Sequence, residues 1–384
     1  MAMKWQGLLP SPRCLSVVLL CASLLLAAPA RAQNAPIRST NLSGYMDFQY
    51  RRPQFSDAQL DFRRFVLLVT HRFSDRVRFV SELELEHALV EGTLEAGELE
   101  LEQAYLDFLV SRSVNFRAGV LLIPVGILNE RHEPPVYYGV QRPMVDTILI
   151  PTTWFETGAG IHGEVGRGFR YRAYAVAPFN AALISAEEGL REGRQRASNS
   201  NARSLAGTGR FEYVGRRGLT TGISFWAGDS GFEFQPTFKV PIRLWEADAR
   251  YSARNGMEFR AEFVSVGIDN TEALNAALTQ RIGVNPNIAK TMRGALLEAS
   301  HRFFTHDRIG EIGAFVRYDK ANTQAAMAGG ALPLKPFDRD AFVVGGTYWP
   351  DPDIAVKVDY VFARNRSAVI QAPNSFNIGL GWWF

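Results

Sequence analysis

Apolar and polar residues alternate along most of this 384-residue chain. At its end Phe376, Ile378, Leu380, Trp382 and Phe384 share one parity, while Asn377, Gly379 and Gly381 hold the other. A strand turns successive side chains to opposite faces, so this stretch has one greasy, aromatic face and one small or polar face. Phe169 to Ala175 alternates with Arg170 and Arg172, and Met257, Phe259, Ala261 and Phe263 alternate with Glu258, Arg260 and Glu262. Ile312 to Tyr318 and Ile354 to Phe362 repeat the pattern. One such strand would suit a half-buried sheet in a soluble sandwich. Repetition along the chain, ending on an aromatic-rimmed strand, predicts a barrel with lipid outside.

The connections sharpen that expectation. Tight turns at 74–75, 111–113, 166–168, 215–218, 254–255, 305–307 and 350–353 alternate with longer links at 123–150, 178–203, 229–235, 269–288, 321–337 and 366–372. Shorter links fall near Pro53 and Gly92. Strict alternation of short and long connections predicts an all-β, transmembrane, antiparallel up-and-down barrel with periplasmic turns and outer loops. Strands are expected at 40–51, 58–73, 76–90, 98–110, 114–122, 152–165, 169–177, 204–214, 219–228, 236–252, 256–267, 289–304, 308–320, 338–349, 354–365 and 374–384. That makes about sixteen; weaker alternation at some boundaries leaves fourteen or eighteen open. Trp154, Tyr348, Trp349, Trp382 and Phe384 fall near strand ends, where interfacial girdles or ordinary core packing would each account for them.

The other end predicts export. Lys4 and Arg13 precede an apolar run from Leu15 to Ala28, and Ala30-Arg31-Ala32 supplies a cleavage pattern. Residues 1–32 therefore read as a cleaved signal peptide, and 33–384 as a barrel domain of the Gram-negative outer membrane. The apolar run is shorter than the roughly 20 residues of a spanning helix. Both cysteines, Cys14 and Cys21, lie in this leader, which excludes disulfides and thiolate chemistry from the mature chain. So do three basic residues, whose removal leaves 39 basic against 39 acidic side chains and a net charge near zero. Bulk charge gives no support for nucleic-acid binding.

Strand parity sends Arg63, Arg78, Glu82, Glu84, Arg117, Arg170, Arg172, Arg210, Glu212, Glu246, Asp248, Arg250, Glu258, Arg260, Glu262, Arg317, Asp319, Lys357 and Asp359 to the interior. Facing lipid at mid-bilayer, a charge would cost about 2–4 kcal/mol, so these side chains are expected to line water. Rings of arginine would favour anions and rings of carboxylates cations. Alternatively, opposite charges pair across neighbouring strands and keep the lumen wet. The link at 123–150 is the expected constriction, with Arg131, His132, Glu133, Arg142 and Asp146 among Pro134-Pro135 and Tyr137-Tyr138. Arg131 and Arg142, with the wall arginines, are expected to set the narrowest field, unless wall carboxylates neutralise them. Thr271 to Gln280 is a helix-compatible run within a later link.

None of His71, His87, His132, His162, His301 or His306 lies in an H-E-x-x-H pattern, and His132-Glu133 runs into two prolines. No nucleophile-base set stands out, so a non-enzyme without cofactor or metal is expected. An export, structural or hydrolytic barrel is the alternative to an open pore.

Leu60-Asp61-Phe62-Arg63-Arg64-Phe65, Phe73-Ser74-Asp75-Arg76-Val77-Arg78-Phe79 and Gln103-Ala104-Tyr105-Leu106-Asp107-Phe108 resemble the opening of phosphate-selective porins of the O and P type. Phe116-Arg117-Ala118-Gly119, Ile123-Pro124-Val125-Gly126, Asn129 to Pro135, Tyr138-Gly139-Val140 and Ile150 to Trp154 are similar to a branch of that group. The resemblance is clear over about residues 40–165 and afterwards rests on strand rhythm. It implies a homotrimer of sixteen-stranded barrels in outer-membrane lipid and lipopolysaccharide, with the third outer loop folded inward. It also implies an arginine ladder, lysines near the mouth, and small hydrophilic or anionic solutes such as phosphate. This chain departs from the pattern at Leu122, where a lysine often precedes the Pro-x-Gly turn, and in its scarcity of early-loop lysines.

Overall fold

The computed structural model describes residues 38–90 and 97–384, so the leader expected at 1–32 lies outside the described residues. Sixteen antiparallel strands close into one barrel. They are β1 (Ser39–Pro53), β2 (Gln59–Arg72), β3 (Val77–Glu86), β4 (Leu99–Leu109), β5 (Asn115–Leu122), β6 (Phe155–Val165), β7 (Phe169–Val176) and β8 (Ala206–Arg216). The second half comprises β9 (Leu219–Asp229), β10 (Pro241–Ser252), β11 (Met257–Ile268), β12 (Thr291–His306), β13 (Gly310–Ala326), β14 (Asp338–Asp351), β15 (Ile354–Asn365) and β16 (Ser375–Trp383). Each strand pairs with its chain neighbours, and β16 closes on β1 from Tyr45 opposite Trp383 to Pro53 opposite Ser375. Closure leaves no sheet edge, the condition for strands to face hydrocarbon. The sequence-based count of sixteen and most boundaries hold. β10 begins at Pro241, later than the expected 236, and β13 runs on to Ala326, past the expected 320.

Burial is inverted relative to a soluble protein. On the outside Phe263 is 51% and Trp245 59% exposed, while inside Glu246 and Asp319 are each 2% exposed. The alternation thus sorts side chains as expected, apolar out and charged in. Phe376 and Ile378 lie on the exposed face of β16, and Asn377 on the buried one.

Two irregularities modify the parity. The β1–β2 register slips between Asp47 and Phe48, so Arg63 is the extra residue between Phe62 and Arg64. The β3–β4 register slips between Glu82 and Leu83, so Glu102 is the extra residue between Leu101 and Gln103. A bulge sets two residues against one and lets neighbouring side chains share a face. Arg63 and Arg64 consequently line the same interior cavity, and Glu102 is buried against it.

Short turns such as 166–168, 217–218 and 352–353 gather at one end, and the long links rise from the other. The third long link, 123–154, folds back into the barrel. Its Pro134–Val136 turn touches β15 and β16, and its Val145–Leu149 turn packs on β11, β12 and β13. Gly294 on β12 makes room for that second turn: a Cβ there would lie 2.5 Å from Leu149 Cδ1. The link 269–290 contains one helix, α1 (Thr271–Ile282), where the sequence predicts a helical run.

Trp154 and Trp349 correct the girdle reading. Trp154, 1% exposed, stacks on Phe179 with ring centroids 4.7 Å apart, inside an apolar cluster shared by the third and fourth long links. Trp349, 4% exposed, meets the Tyr138 ring edge-on at 5.5 Å. Interior loops supply both with an apolar surface that strand parity cannot anticipate. Tyr348 and Phe384 are exposed, as a girdle requires.

Candidate functional site

The inserted loop 123–154 is fastened before it can constrict anything. Asn129 closes its base: its amide donates to the carbonyls of Ile123 and Trp154 at 2.8 Å each, and its oxygen accepts from the Trp154 N–H at 2.7 Å. Farther along, Lys357 Nζ donates to the carbonyls of Pro134, Tyr137 and Gly139 at 2.5, 2.5 and 2.9 Å. Asp359, two residues on and facing the same side, accepts from the Val140 N–H at 2.6 Å. An ammonium has three donors, and here the loop backbone uses all of them. The diproline segment, with its fixed φ, holds the Pro134 carbonyl in place.

The wall arginines are largely neutralised. Arg210 is buried and pairs with Asp248 at 2.6 Å, Glu246 at 3.3 Å and Glu212 at 3.4 Å. Arg260 pairs with Glu258 at 2.6 Å, and Arg317 with Asp319 at 2.9 Å. Glu298 stands between these two arginines. Arg78 and Arg117 converge on Asp107 at 2.6 and 3.1 Å, with Arg117 4.1 Å from the Tyr105 ring centroid. Arg172 pairs with Glu130 of the loop at 3.0 Å. Arg170 pairs with Glu164 at 3.1 Å beside the short turn 166–168. Opposite-charge pairing describes this wall, along a strand at Arg260–Glu258 and Arg317–Asp319 and across strands at Arg78–Asp107 and at Glu298.

Arg131 and Arg142 differ. Among the described residues neither has a carboxylate within ion-pairing distance. Arg131 is exposed and lines the cavities beneath the loop, together with Arg172 and Arg250. Arg142 donates to the carbonyl of His132 at 3.3 Å and to Thr153 Oγ1 at 3.2 Å. It lines a second cavity on the other side of the loop, shared with Arg63, Arg191, Arg194 and Arg196 and faced by Glu84, Glu86 and Glu100. Burial, with Arg191 and Arg196 nearby, brings Arg194 down to about 10. Its guanidinium donates to the Arg191 and Pro151 carbonyls at 2.9 and 3.2 Å. The fourth link therefore contributes arginines to the cavity that strand parity misses. The run Arg191-x-x-Arg194-x-Arg196 was their only visible signal.

His132 lies fully buried between the loop and the wall. Its Nε2 is 3.1 Å from Glu102 Oε2 and 3.5 Å from Glu82 Oε1, and its Nδ1 is 3.1 Å from the Asn129 carbonyl. Tyr45 Oη donates to Glu82 Oε1 at 3.0 Å. Burial opposes the imidazolium, yet Glu102 and Glu82 outweigh it and hold its pKa well above the usual histidine value. The motif search could not find this group, because its members come from β3, β4 and the inserted loop.

No protein-family model matches the chain. It is 33% identical over 335 residues to an uncharacterized protein of Aquifex aeolicus strain VF5, a match covering 84% of this chain and 76% of that protein. Its fold is similar to that of the outer membrane channel DcaP of Acinetobacter baumannii, with a TM-score of 0.58 at 10% identity over 93% of this chain and 100% of that one. An anion-selective porin from Comamonas acidovorans aligns with a TM-score of 0.56 at 10% identity over 90% and 100%. The trimer form of OmpT, an outer membrane protein of Vibrio cholerae, aligns with 0.54 at 10% identity over 90% and 99%.

Proposed function

The chain belongs to the family of the Aquifex aeolicus protein, and on that premise and its barrel we propose an outer-membrane porin: a narrow channel for passive diffusion of small hydrophilic solutes, leaning toward anions. The observation that carries this reading is the seating of loop 123–154 across a charge-lined lumen, with Arg131 and Arg142 free of carboxylate partners beside walls where Arg210, Arg260 and Arg317 are paired. Unpaired cations at a constriction favour anion entry. The likeness of residues 40–165 to phosphate-selective porins makes phosphate the first solute to test. The folded mature chain in a planar bilayer between unequal KCl solutions should give a reversal potential of anionic sign, reduced in current by added phosphate. A potential of cationic sign would overturn the anion reading, and indifference to phosphate would leave small anions in general.

Export by the expected leader, insertion among lipid and lipopolysaccharide, and assembly as a homotrimer belong to the same reading. The trimer form of a similarly folded barrel and the oily exterior support it. Passive diffusion needs no catalysis, and two interior histidines are held by carboxylates, the buried His132 by Glu102 and the half-buried His162 by Asp107 at 2.7 Å.

A second reading has its own observation. Apolar residues from the third, fourth, fifth and sixth long links pack with Trp226, Ile242 and Met292 into one cluster inside the barrel. Such a core suits a barrel that is shut at rest, and absence of any conductance from folded protein would favour it.

A further inference from the structure

Three acceptors converge at His132. The Asn129 carbonyl can only accept, so Nδ1 carries a proton and Nε2 faces the two carboxylates. Glu102 Oε2 at 3.1 Å and Glu82 Oε1 at 3.5 Å answer with lone pairs of their own. All three residues are buried, and their candidate ligand atoms lie within 4.8 Å of one another. A positive charge in the middle suits that geometry. A proton on Nε2 could serve Glu102, with Glu82 held by Tyr45 and Gln103, whereas a metal cation would engage both carboxylates at once.

We infer that Glu82, Glu102 and His132 form a binding site for a divalent transition-metal cation of the zinc type. Metal–nitrogen and metal–oxygen distances of about 2.0–2.2 Å give tetrahedral edges of about 3.3–3.6 Å, close to the 3.1 and 3.5 Å from Nε2 to the two carboxylates. One imidazole and two carboxylates are a donor set such a cation accepts, with a fourth position left for water. The outer contacts also suit it. The Nδ1–H bond to a backbone carbonyl fixes the tautomer, and Tyr45 and Gln103 orient Glu82 by donating to its two oxygens. Glu102 lines the arginine-flanked cavity, which provides the way in. Binding forms bonds from Nε2 and two carboxylate oxygens to the cation, and any proton on Nε2 leaves to solvent.

The consequence is a metal staple between the inserted loop and the wall strands β3 and β4, independent of whether the barrel conducts. The test uses the full mature chain, folded in detergent, stripped with chelator and titrated with Co2+. One equivalent should bind with the strong visible absorption of a tetrahedral site, and Zn2+ should displace it. Tyr45→Phe should weaken Co2+ binding about 10–100-fold, as loss of an outer partner does. His132→Gln and Glu102→Gln should abolish it, while His301→Gln, on the far rim, should change nothing. Heat-modifiable gel migration reports whether each variant still folds. No stoichiometric Co2+ on the unmodified protein would leave the proton as sole occupant and overturn the site. So would binding that survives Glu102→Gln in folded protein.

Discussion

The ammonium of Lys357 lies 4.0 Å from the centroid of the Tyr137 ring while donating to that residue's own carbonyl. One wall side chain thus grips the inserted loop through both the face of an aromatic ring and the backbone behind it. Lys357 is buried, and its remaining donors go to Pro134 and Gly139. Replacing it with methionine keeps much of the volume and removes every donor. A buried carbonyl left without a partner costs about 1–3 kcal/mol, so Lys357→Met should release residues 134–140 while the strands stay paired. Hydrogen exchange should show lost protection in that segment alone, and single-channel current should rise or become noisier. Unchanged protection would mean that Asn129 and Asp359 hold the loop without it.

Selectivity should follow the unpaired arginines rather than the whole ladder. Arg131→Glu and Arg142→Glu each replace a cation without a carboxylate partner, so each should move the reversal potential toward cations, and together they should reverse its sign. Arg210→Gln is the contrast, since its charge is already spent on Asp248, Glu246 and Glu212. It should leave the potential close to unchanged and lower stability instead, because truncating one partner of a buried pair leaves carboxylates uncompensated. Equal shifts from all three substitutions would return the selectivity to the full arginine set.

Asp146 should make the seating of the loop depend on pH. It is buried on the Val145–Leu149 turn, with Oδ1 lacking any hydrogen-bond partner. Burial, reinforced by Asp319, raises its pKa from an ordinary 3.8 to about 7. The folded state therefore binds more protons than the unfolded state between about pH 4 and 7. The stabilising contribution is complete below that window and is lost as pH rises through about 7. Loop protection should be stronger at pH 5 than at pH 8. Asp146→Asn should flatten that difference and raise protection at pH 8. An unmodified protein equally protected at both values would show that Asp146 stays charged in place.

Most of the barrel was legible because one rule, alternation, repeats sixteen times, and a strand that slips by one residue would turn charges to lipid. What escaped was local. Arg64 was assigned to no face because parity placed Arg63 inside, and only the bulge opposite Phe48 brings both inward. Glu102 escaped for the same reason on β4. Each bulge marks the sequence only as two polar residues in succession, Arg63-Arg64 and Glu102-Gln103, which a count of alternating positions passes over. The inserted loop was recognisable from its length, prolines and charges, yet its attachment to Lys357 spans more than 200 positions of sequence and depends on closure of the barrel. Arg191, Arg194 and Arg196 were visible as a run, but nothing in the run said that the fourth link turns inward.

The oily exterior can be probed one position at a time, because lipid penalises charge by depth. Phe263 lies near the middle of β11 between Ala247 and Ala295, with its side chain outward, while its neighbour Glu262 is buried inside. Phe304 is also exposed but lies close to the short turn after His306. A lysine at the bilayer midplane costs about 2–4 kcal/mol, and one near the interface about 0–1 kcal/mol. Phe263→Lys should therefore lower the folding free energy in lipid vesicles by the larger amount and Phe304→Lys by the smaller. Reversible urea titration followed by tryptophan fluorescence measures both. In detergent micelles, which deform around a charge, the gap between them should narrow. Equal penalties in vesicles would mean that these two positions sit at the same depth, and the placement of the strands across the bilayer would have to be redrawn.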